Sequence, residues 1–596
     1  MDGAAEEREL GPEAEEYFDE DELRVVEDDA VEDADEEDGG GGSEDEPEEE
    51  DNDDPLEPVA GQVRLAPSLF RGRHPTIFFD YPKELGELRQ GFSVTQPLNA
   101  RKLVYKTNWE RNCVKNAFSR AGFNRTMSSN AWNGFWGKHP PLSTFKEMNR
   151  FQKVNHFPGS WCIGRKDRLA RTIQKFRRIN SAAFNIHPES LMLPQERKIF
   201  EIKIKQEKSI WIIKPQASSC GRGIRVIHPG NVHTIPKDKK AVIQKYLHQP
   251  YLINQTKFDL RLYVVVTSVD PLRVYILNQG LVRFSTSKYT LKNLKSRYAH
   301  LTNYSINKKS SKFVENQSGN PDEDGMEGSK WSLTALWRYL TAEIGEERVA
   351  KLQDDIKDVV VKTCIAAESD ITPALARLNR QRGVAYELFG FDVIMDSQLK
   401  PWLLEVNVSP SLMGSSPLDR KIKGTLMADI FHLVGFMPYD GQAIKKDEKK
   451  AARDKLKGVV SKVKNKNLSR RQDAWRRNPS PDSIDMAELS AEDWEVIYEA
   501  EDENARRGHF ERIYPTLKRC KEMLPYFAST RFNDVLLARW CTTSRHKLYA
   551  HSPRGLPTNP AVRAAQPQGS EKVVDASMAF VAAGAGAGRA RGGGGR

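Results

Sequence analysis

From about residue 190 onward the chain reads as short apolar segments at regular intervals, with helix-period stretches entering only in its later part. Ser209 to Lys214, Ile224 to Ile227, Ala241 to Leu247, Phe258 to Val266, Arg273 to Leu277 and Leu281 to Phe284 each carry the alternating or continuous apolar character of a β-strand. Gly280 falls between the last two and reads as a turn. Two more apolar runs follow, Phe389 to Met395 and Lys400 to Asn407, and the 3.6-residue period places helices over 331–343, 346–370 and 421–435. Before this series, residues 67–185 are mixed and aromatic, with a short strand at Thr76 to Phe79 and a helix over 108–120. After it, 486–540 reads as helical. Strands and helices mixed in this way predict an α/β (α+β) protein.

Composition divides the chain further. At 596 residues it exceeds one core, so roughly three or four domains are expected. Residues 1–60 carry 30 Asp and Glu against only Arg8 and Arg24, a self-repelling arm expected to be disordered. The remainder holds 89 basic and 52 acidic residues, so the overall charge of +9 hides a strongly basic body suited to a polyanionic partner. Residues 445–477 concentrate 14 basic and 4 acidic side chains, with Val459, Val460, Val463 and Leu468 at roughly helical spacing. That pattern fits a cationic helix that orders on a partner, or a solvated linker. The end, from about 552, is rich in Pro, Ala, Gly and Arg and is expected to be disordered. Six scattered cysteines with no C-x-x-C pair speak for reduced thiols in an intracellular protein and against structural zinc. No apolar run is long enough for a bilayer and the N-terminus is acidic, so neither membrane nor secretion is expected. Nucleic-acid binding is disfavoured because no stacking-aromatic platform accompanies the charge.

Chemistry enters at the strand ends. Residues i and i+2 of a strand share a face, so Glu405 and Asn407 project together, and Asp392 comes from the run just upstream. Oxygen ligands of this kind suit a hard cation such as Mg²⁺ held together with substrate phosphates. Lys214 closes a strand and precedes the small-residue loop Pro215 to Gly223, where backbone N–H groups can approach phosphate oxygens. The G-K-[ST] element of a P-loop is absent. Gln244, Lys245, Tyr246 and Leu247 end a strand and offer backbone groups to a base edge. Lys257, Asp259 and Arg261 share one face of an apolar strand, and so charged a face is expected to line a cleft. Arg283 can hold a carboxylate bidentately, and Asn303 can serve as an oxygen or nucleotide ligand.

The series WIIKP, SSCGRGI, QKYL, KFDLRLYV, GLVRF, HLTNYS, ELFGFDVIMD and KPWLLEVNVSPSL, with NHFPGS and IGRKDRL at 155–169, resembles the tubulin tyrosine ligase-like family over roughly 67–436. EDENARRGHFERIYP at 501–515 most resembles the tubulin polyglutamylases of that family. The resemblance implies an ATP-grasp fold. Composition and resemblance together predict a disordered arm (1–60), an N-terminal domain (61–185), central and C-terminal catalytic domains (186–440), a basic linker or helix (441–480), a helical extension (481–545) and a disordered tail (546–596). The resemblance further implies that Lys214, Arg222, Gly223, Gln244, Lys245, Tyr246, Leu247, Lys257, Asp259, Thr302 and Asn303 contact ATP, and that Asp392, Glu405 and Asn407 hold Mg²⁺. Arg283, Tyr304, Ser305, Lys330 and Lys423 fall where the family binds free L-glutamate, and Arg261 faces the reaction centre beside Lys214 and Glu405.

The implied reaction phosphorylates an acceptor glutamate side chain at the expense of ATP. The amine of free glutamate then attacks the acyl phosphate, forming an isopeptide branch on the acidic C-terminal tails of tubulin or on other acidic proteins such as histone chaperones. The implied location is the cytoplasm and cytoskeleton, with the cilium and basal body included. One departure stands out: Cys220 occupies a position where some family glutamylases carry Arg. The alternatives are a glycine or tyrosine ligase, disfavoured by Arg283 and Lys423, and a microtubule-binding pseudoenzyme, disfavoured by the complete set Asp392, Glu405 and Asn407.

Overall fold

The structure is a computed structural model. It describes residues 63–85, 95–98, 103–109, 111–216, 221–315, 328–379, 381–457, 480–542 and 552–554. The acidic arm, the loop 217–220 with Cys220, the 458–479 half of the basic segment with its spaced valines, and most of the tail lie outside the described residues.

Strands β1 (Val63–Ala66), β2 (Thr76–Ile77) and β3 (Thr95–Leu98) form a small antiparallel sheet. Strand β4 (Leu103–Thr107), helix α1 (Asn112–Arg120), then β5 (Phe123–Arg125), β6 (Gly134–Trp136) and β7 (Lys153–Val154) build a parallel sheet in the order β5-β4-β6-β7. Helix α2 (Lys166–Ile179) leads to β8 (Ser190–Leu193), α3 (Arg197–Glu207), β9 (Trp211–Pro215), β10 (Arg225–Ile227) and β11 (Ala241–Lys245), an antiparallel sheet ordered β10-β9-β11-β8. Its alternation splits cleanly. Trp211, Ile213, Ala241 and Ile243 pack on α3 in a small core of their own, which turns Ile212, Lys214, Val242 and Gln244 to the opposite face.

The largest sheet collects β12 (Leu252–Ile253), β13 (Thr256–Val269), β14 (Leu272–Lys288), β15 (Lys330–Ser332), β16 (Glu387–Met395) and β17 (Pro401–Asn407), with a further strand from the C-terminal part. Helices α4 (Leu333–Ile344) and α5 (Glu346–Leu378) lie between β15 and β16 in sequence. The sheet is buried on both faces, which is why β13, β14 and β16 read as near-continuous apolar runs. Leu260, Leu262, Val264 and Val266 join one core with α5, whereas Tyr263, Val265, Tyr275 and Leu277 join another with α1 and α6 (Pro417–Val434). Helix α6 starts where Ser416 accepts the Asp419 amide and Pro417 follows, and it stops at Gly435 in the left-handed region.

Two sequence expectations are corrected. Gly280 is no turn: β14 runs through it, with Leu262 opposite Gly280. A Cβ there would fall 2.6 Å from the Arg261 carbonyl oxygen and 2.8 Å from Leu333, so the glycine marks close backbone approach inside a strand. The segment expected as a helical extension holds α8 (Ala491–Ala505), α9 (Leu517–Met523) and α10 (Phe532–Thr542), after α7 (Gly441–Lys457), but it also holds a strand, β18 (Phe510–Tyr514). β18 pairs antiparallel with β14 from Val274 to Leu277, and Trp494, Ile497, Val535 and Trp540 are buried in the same core as β13. Only the 441–457 half of the expected cationic helix is described, and it is helical. Among the described residues no helix is long and apolar enough to cross a membrane.

Candidate active site

Strand register assembles the site. Asp392 lies directly opposite Arg261 on β13 and opposite Glu405 on β17, while Asn407 lies opposite Gly390. On the other side, Asp259 lies opposite Arg283 and Arg283 opposite Lys330. Residues that the chain separates by up to 148 positions thus form one charged band across five strands.

The arginines and aspartates interlock. Arg261 donates to Asp392 at 2.6 and 3.1 Å; Arg283 donates to Asp259 at 2.8 and 2.6 Å and to Asp392 at 2.7 Å. Burial by itself would raise the Asp392 pKa, but the guanidiniums of Arg261 and Arg283 outweigh it and hold the carboxyl well below the usual carboxylate range. Thr302 adds a hydroxyl to Asp259 at 2.8 Å. Glu405 is held less tightly: its nearest cation, Lys166, is 3.7 Å away and its side chain is 23% exposed. Asn407 donates its amide to the Gly390 carbonyl at 3.2 Å, which leaves Oδ1 as an acceptor. Two carboxylates and an amide oxygen on adjacent strands are an all-oxygen donor set, and it fits a hard divalent cation.

The two lysines are treated differently. Lys214 and Lys257 are buried, and among the described residues neither makes an ion pair. Lys214 donates to Gln244 Oε1 at 2.8 Å. Lys257 donates to the His300 carbonyl at 2.9 Å and to the Tyr246 hydroxyl at 3.2 Å. Burial pushes both pKa values down to about 8. They line one cleft with Ile212, Leu247, Ile394 and Leu404, and that cleft also reaches Asp392 and Glu405. Asn303 lies at the cleft wall against Gly221, and Arg222 and Gly223 follow at the described end of the small-residue loop. Lys245 differs from its neighbours, since its ammonium turns away to Glu207 at 2.7 Å, so only its backbone is left to the cleft. A separate cavity of about 740 Å³ behind Tyr246 and Leu247, lined by α2 and Trp402, contains neither lysine and neither carboxylate.

Asp419 was not singled out in the sequence. It sits between Lys330, at 2.8 Å, and Lys423, at 2.9 Å, and Lys330 also reaches Ser415 at 3.2 Å and lies 3.7 Å over the Tyr304 ring. Against the upward push of burial, the two ammoniums keep the Asp419 carboxyl well below the usual range. Its only sequence signal was Ser416-x-x-Asp419, which reads as helix capping. Ser305 follows Tyr304 in a one-turn helix beside this cluster.

A second group, His139, His156 and Glu387, could be taken for a metal centre. His156 places Nε2 2.7 Å from the Gly137 carbonyl, so that nitrogen carries a proton, and its Nδ1 lies 2.8 Å from Glu387. Both His156 nitrogens are thus engaged within the protein, and Ser160 and the Phe157 amide occupy the Glu387 oxygens.

A family model described as the tubulin-tyrosine ligase family matches residues 144–444. Human tubulin monoglutamylase TTLL4 is 38% identical over 497 residues, which cover 79% of this chain and 40% of that protein. Human tubulin polyglutamylase TTLL5 is 37% identical over 423 residues, 68% of this chain and 32% of that protein. The polyglutamylase ttll-4 of Caenorhabditis elegans is 34% identical over 486 residues, 78% of this chain and 76% of that protein. The chain therefore spans about 40% or less of the two human relatives and about three quarters of the nematode one.

Proposed function

The chain belongs to the tubulin-tyrosine ligase family, and from that premise we propose that it is an ATP-dependent ligase joining free L-glutamate to glutamate side chains in the acidic tails of tubulin. The observation that carries this reading is the pair of buried lysines that make no ion pair among the described residues and line the same cleft as Asp392 and Glu405. A buried ammonium is costly without an anion, and nucleotide phosphates would supply one. Mg²⁺ held by Asp392, Glu405 and Asn407 would supply charge neutralisation on those phosphates.

The protein's own groups then have separate tasks. Lys214 and Lys257 hold phosphate oxygens in a site that admits little water, where such contacts act strongly. Gln244 fixes Lys214, and the backbone at 245–247 meets the base. The acceptor carboxylate takes the phosphoryl group beside Arg261, the donor amine attacks, and phosphate leaves. Arg283, Lys330 and Lys423 form the cationic side on which the donor's carboxylates rest, with Tyr304 and Ser305 beside them. Much of the rate comes from holding these partners in place.

The basic body suits acidic tails electrostatically, and other acidic proteins such as histone chaperones offer the same chemistry. The location we propose is the cytoplasm and cytoskeleton, cilium and basal body included. The test is mass spectrometry of tubulin incubated with the protein, ATP, Mg²⁺ and a mixture of glutamate, glycine and tyrosine, beside a Glu405→Gln control. Glutamate-sized additions absent from the control are expected; glycine- or tyrosine-sized additions, or none with microtubule co-sedimentation intact, overturn the reading. The relatives' names divide between monoglutamylase and polyglutamylase, and the number of glutamates per site assigns this chain to one of them.

A further inference from the structure

The outer edge of β14 is shared by two strands. β15 pairs along Leu281 to Arg283, and β18 pairs along Val274 to Leu277, with the Asn278 amide donating to the His509 carbonyl at 3.1 Å. The strand that presents Arg283 is therefore aligned by the C-terminal segment as well as by its own hairpin partner.

The same segment grips α6, the helix that carries Asp419 and Lys423. The Asp429 carboxylate, fully buried on α6, accepts from the Tyr81 hydroxyl at 2.8 Å and from the His509 amide at 3.1 Å, and it lies 2.8 Å from His509 Nδ1. Arg506 donates to the His432 carbonyl near the end of α6 at 3.2 Å. Gly508, between them, has φ +57°, and a Cβ there would fall 2.0 Å from Asp429 Oδ1. The turn is pressed onto the helix so closely that only glycine fits.

The segment is anchored in turn. Glu503 accepts from Thr267 at 2.6 Å and from Arg273 at 3.0 and 3.1 Å, and Asp502 accepts from the Leu69 amide at 2.8 Å. Arg519 reaches Asp358 of α5 at 2.9 Å. Asp429 follows Lys423 by six residues on one helix, about 9 Å of axial rise. Fixing one end of so short a rod fixes the other.

We propose that Gly508, His509 and Asp429 are positioning residues for the donor side of the site, setting Lys423 and Asp419 on α6 at a defined distance from Arg283 on β14. This rests on the reading that the Arg283, Lys330 and Lys423 cluster receives the amino-acid donor. A misplacement of 1 Å in such a cluster costs up to about 100-fold, so a contact remote from the chemistry controls the donor step. The nucleotide side is built on β9, β11 and β13, whereas the bonds of this turn reach α6, β14 and Tyr81.

The experiment uses the full-length chain with Gly508→Ala and, separately, Asp429→Asn. For Gly508→Ala, the KM for free glutamate is expected to rise about tenfold or more with the KM for ATP within about twofold. Amide hydrogen exchange over residues 413–424 should accelerate, with 257–261 unchanged. Asp429→Asn keeps the side-chain volume and one acceptor oxygen, so about a threefold rise is expected. It carries the test should the alanine variant not fold. Equal rises in both KM values, or a fall in kcat together with Tm at unchanged glutamate KM, would show a merely structural contact and overturn the proposal. Failure of wild-type protein to incorporate glutamate would instead sink the donor reading. The exchange rates at 413–424 then decide the positioning by themselves, and unchanged rates overturn it.

Discussion

Two clusters of buried charge, one against the large sheet and one in the cleft between that sheet and the β8–β11 sheet, are built on opposite plans. Around β14 and α8, Arg273 meets Glu503 bidentately through the Nε and Nη2 edge of its guanidinium, and Thr267 completes the carboxylate. In the cleft, Lys214 and Lys257 are also buried, but among the described residues their hydrogen bonds go to an amide, a carbonyl and a hydroxyl. Their pKa values diverge accordingly. Burial opposes the charge on Arg273, yet Glu503 keeps it raised, whereas burial prevails at both lysines and takes them down to about 8. At Arg273 the protein itself satisfies the buried charge, which holds the fold together, whereas the two cleft lysines face neutral hydrogen-bond partners, as a site for an anionic ligand would.

The comparison can be broken most sharply at its structural pole. Glu503→Gln removes the bidentate counter-charge of buried Arg273 and should cost about 3–5 kcal/mol of stability in urea unfolding, with the KM for ATP of the folded protein largely kept. Equal loss at both poles would show that matching is irrelevant. At the functional pole, Glu405→Gln should lower glutamate incorporation by about 100- to 1000-fold while the unfolding midpoint stays put, because the ion pair Glu405 makes among the described residues is the loose 3.7 Å contact with Lys166.

A third variant inverts the usual expectation. Lys214→Met removes an unmatched buried ammonium and should stabilise the protein by about 1–2 kcal/mol while ATP binding is lost. A destabilised variant would mean that the Gln244 contact matters more than the charge.

The smallest effect is read in pH. Each cleft lysine has a folded pKa of about 8 against 10.5 unfolded, so it costs stability when charged, and that cost is relieved as pH rises from about 8 to 10.5, where the unfolded chain binds more protons. Nucleotide binding runs the other way. Phosphates favour the charged form, so calorimetry between pH 8 and 9 should show proton uptake on binding ATP, of less than about one proton per lysine, with affinity falling as pH rises. Proton release, or none, would remove the lysines from phosphate contact.

Much of the cleft was legible because strand period is short-range information. Lys257, Asp259 and Arg261 alternate with apolar neighbours, and Glu405 and Asn407 do the same around Val406, so the facing of each could be read from the chain. Lys245 obeys the same rule in the opposite sense, one residue out of phase with Gln244 and turned to Glu207. Gly280 misled because a glycine between apolar runs looks the same whether the chain turns or another backbone comes close. β18 was hidden among helical neighbours, since Phe510 to Tyr514 becomes a strand only by adding to an edge built from residues more than 230 positions earlier.

Taken alone, the sequence determined which residues could carry charge, on which face of its own strand each would lie, and the family to which the pattern belongs, because all three depend on neighbours a few positions apart. Only the tertiary structure decided which charges meet. That Asp392 is shared by Arg261 and Arg283, that Asp419 joins Lys330 to Lys423, and that Lys214 and Lys257 make no ion pair among the described residues follow from strand register and helix docking across hundreds of residues. Pairing of this kind is set by packing of whole elements, and local chemistry does not encode it.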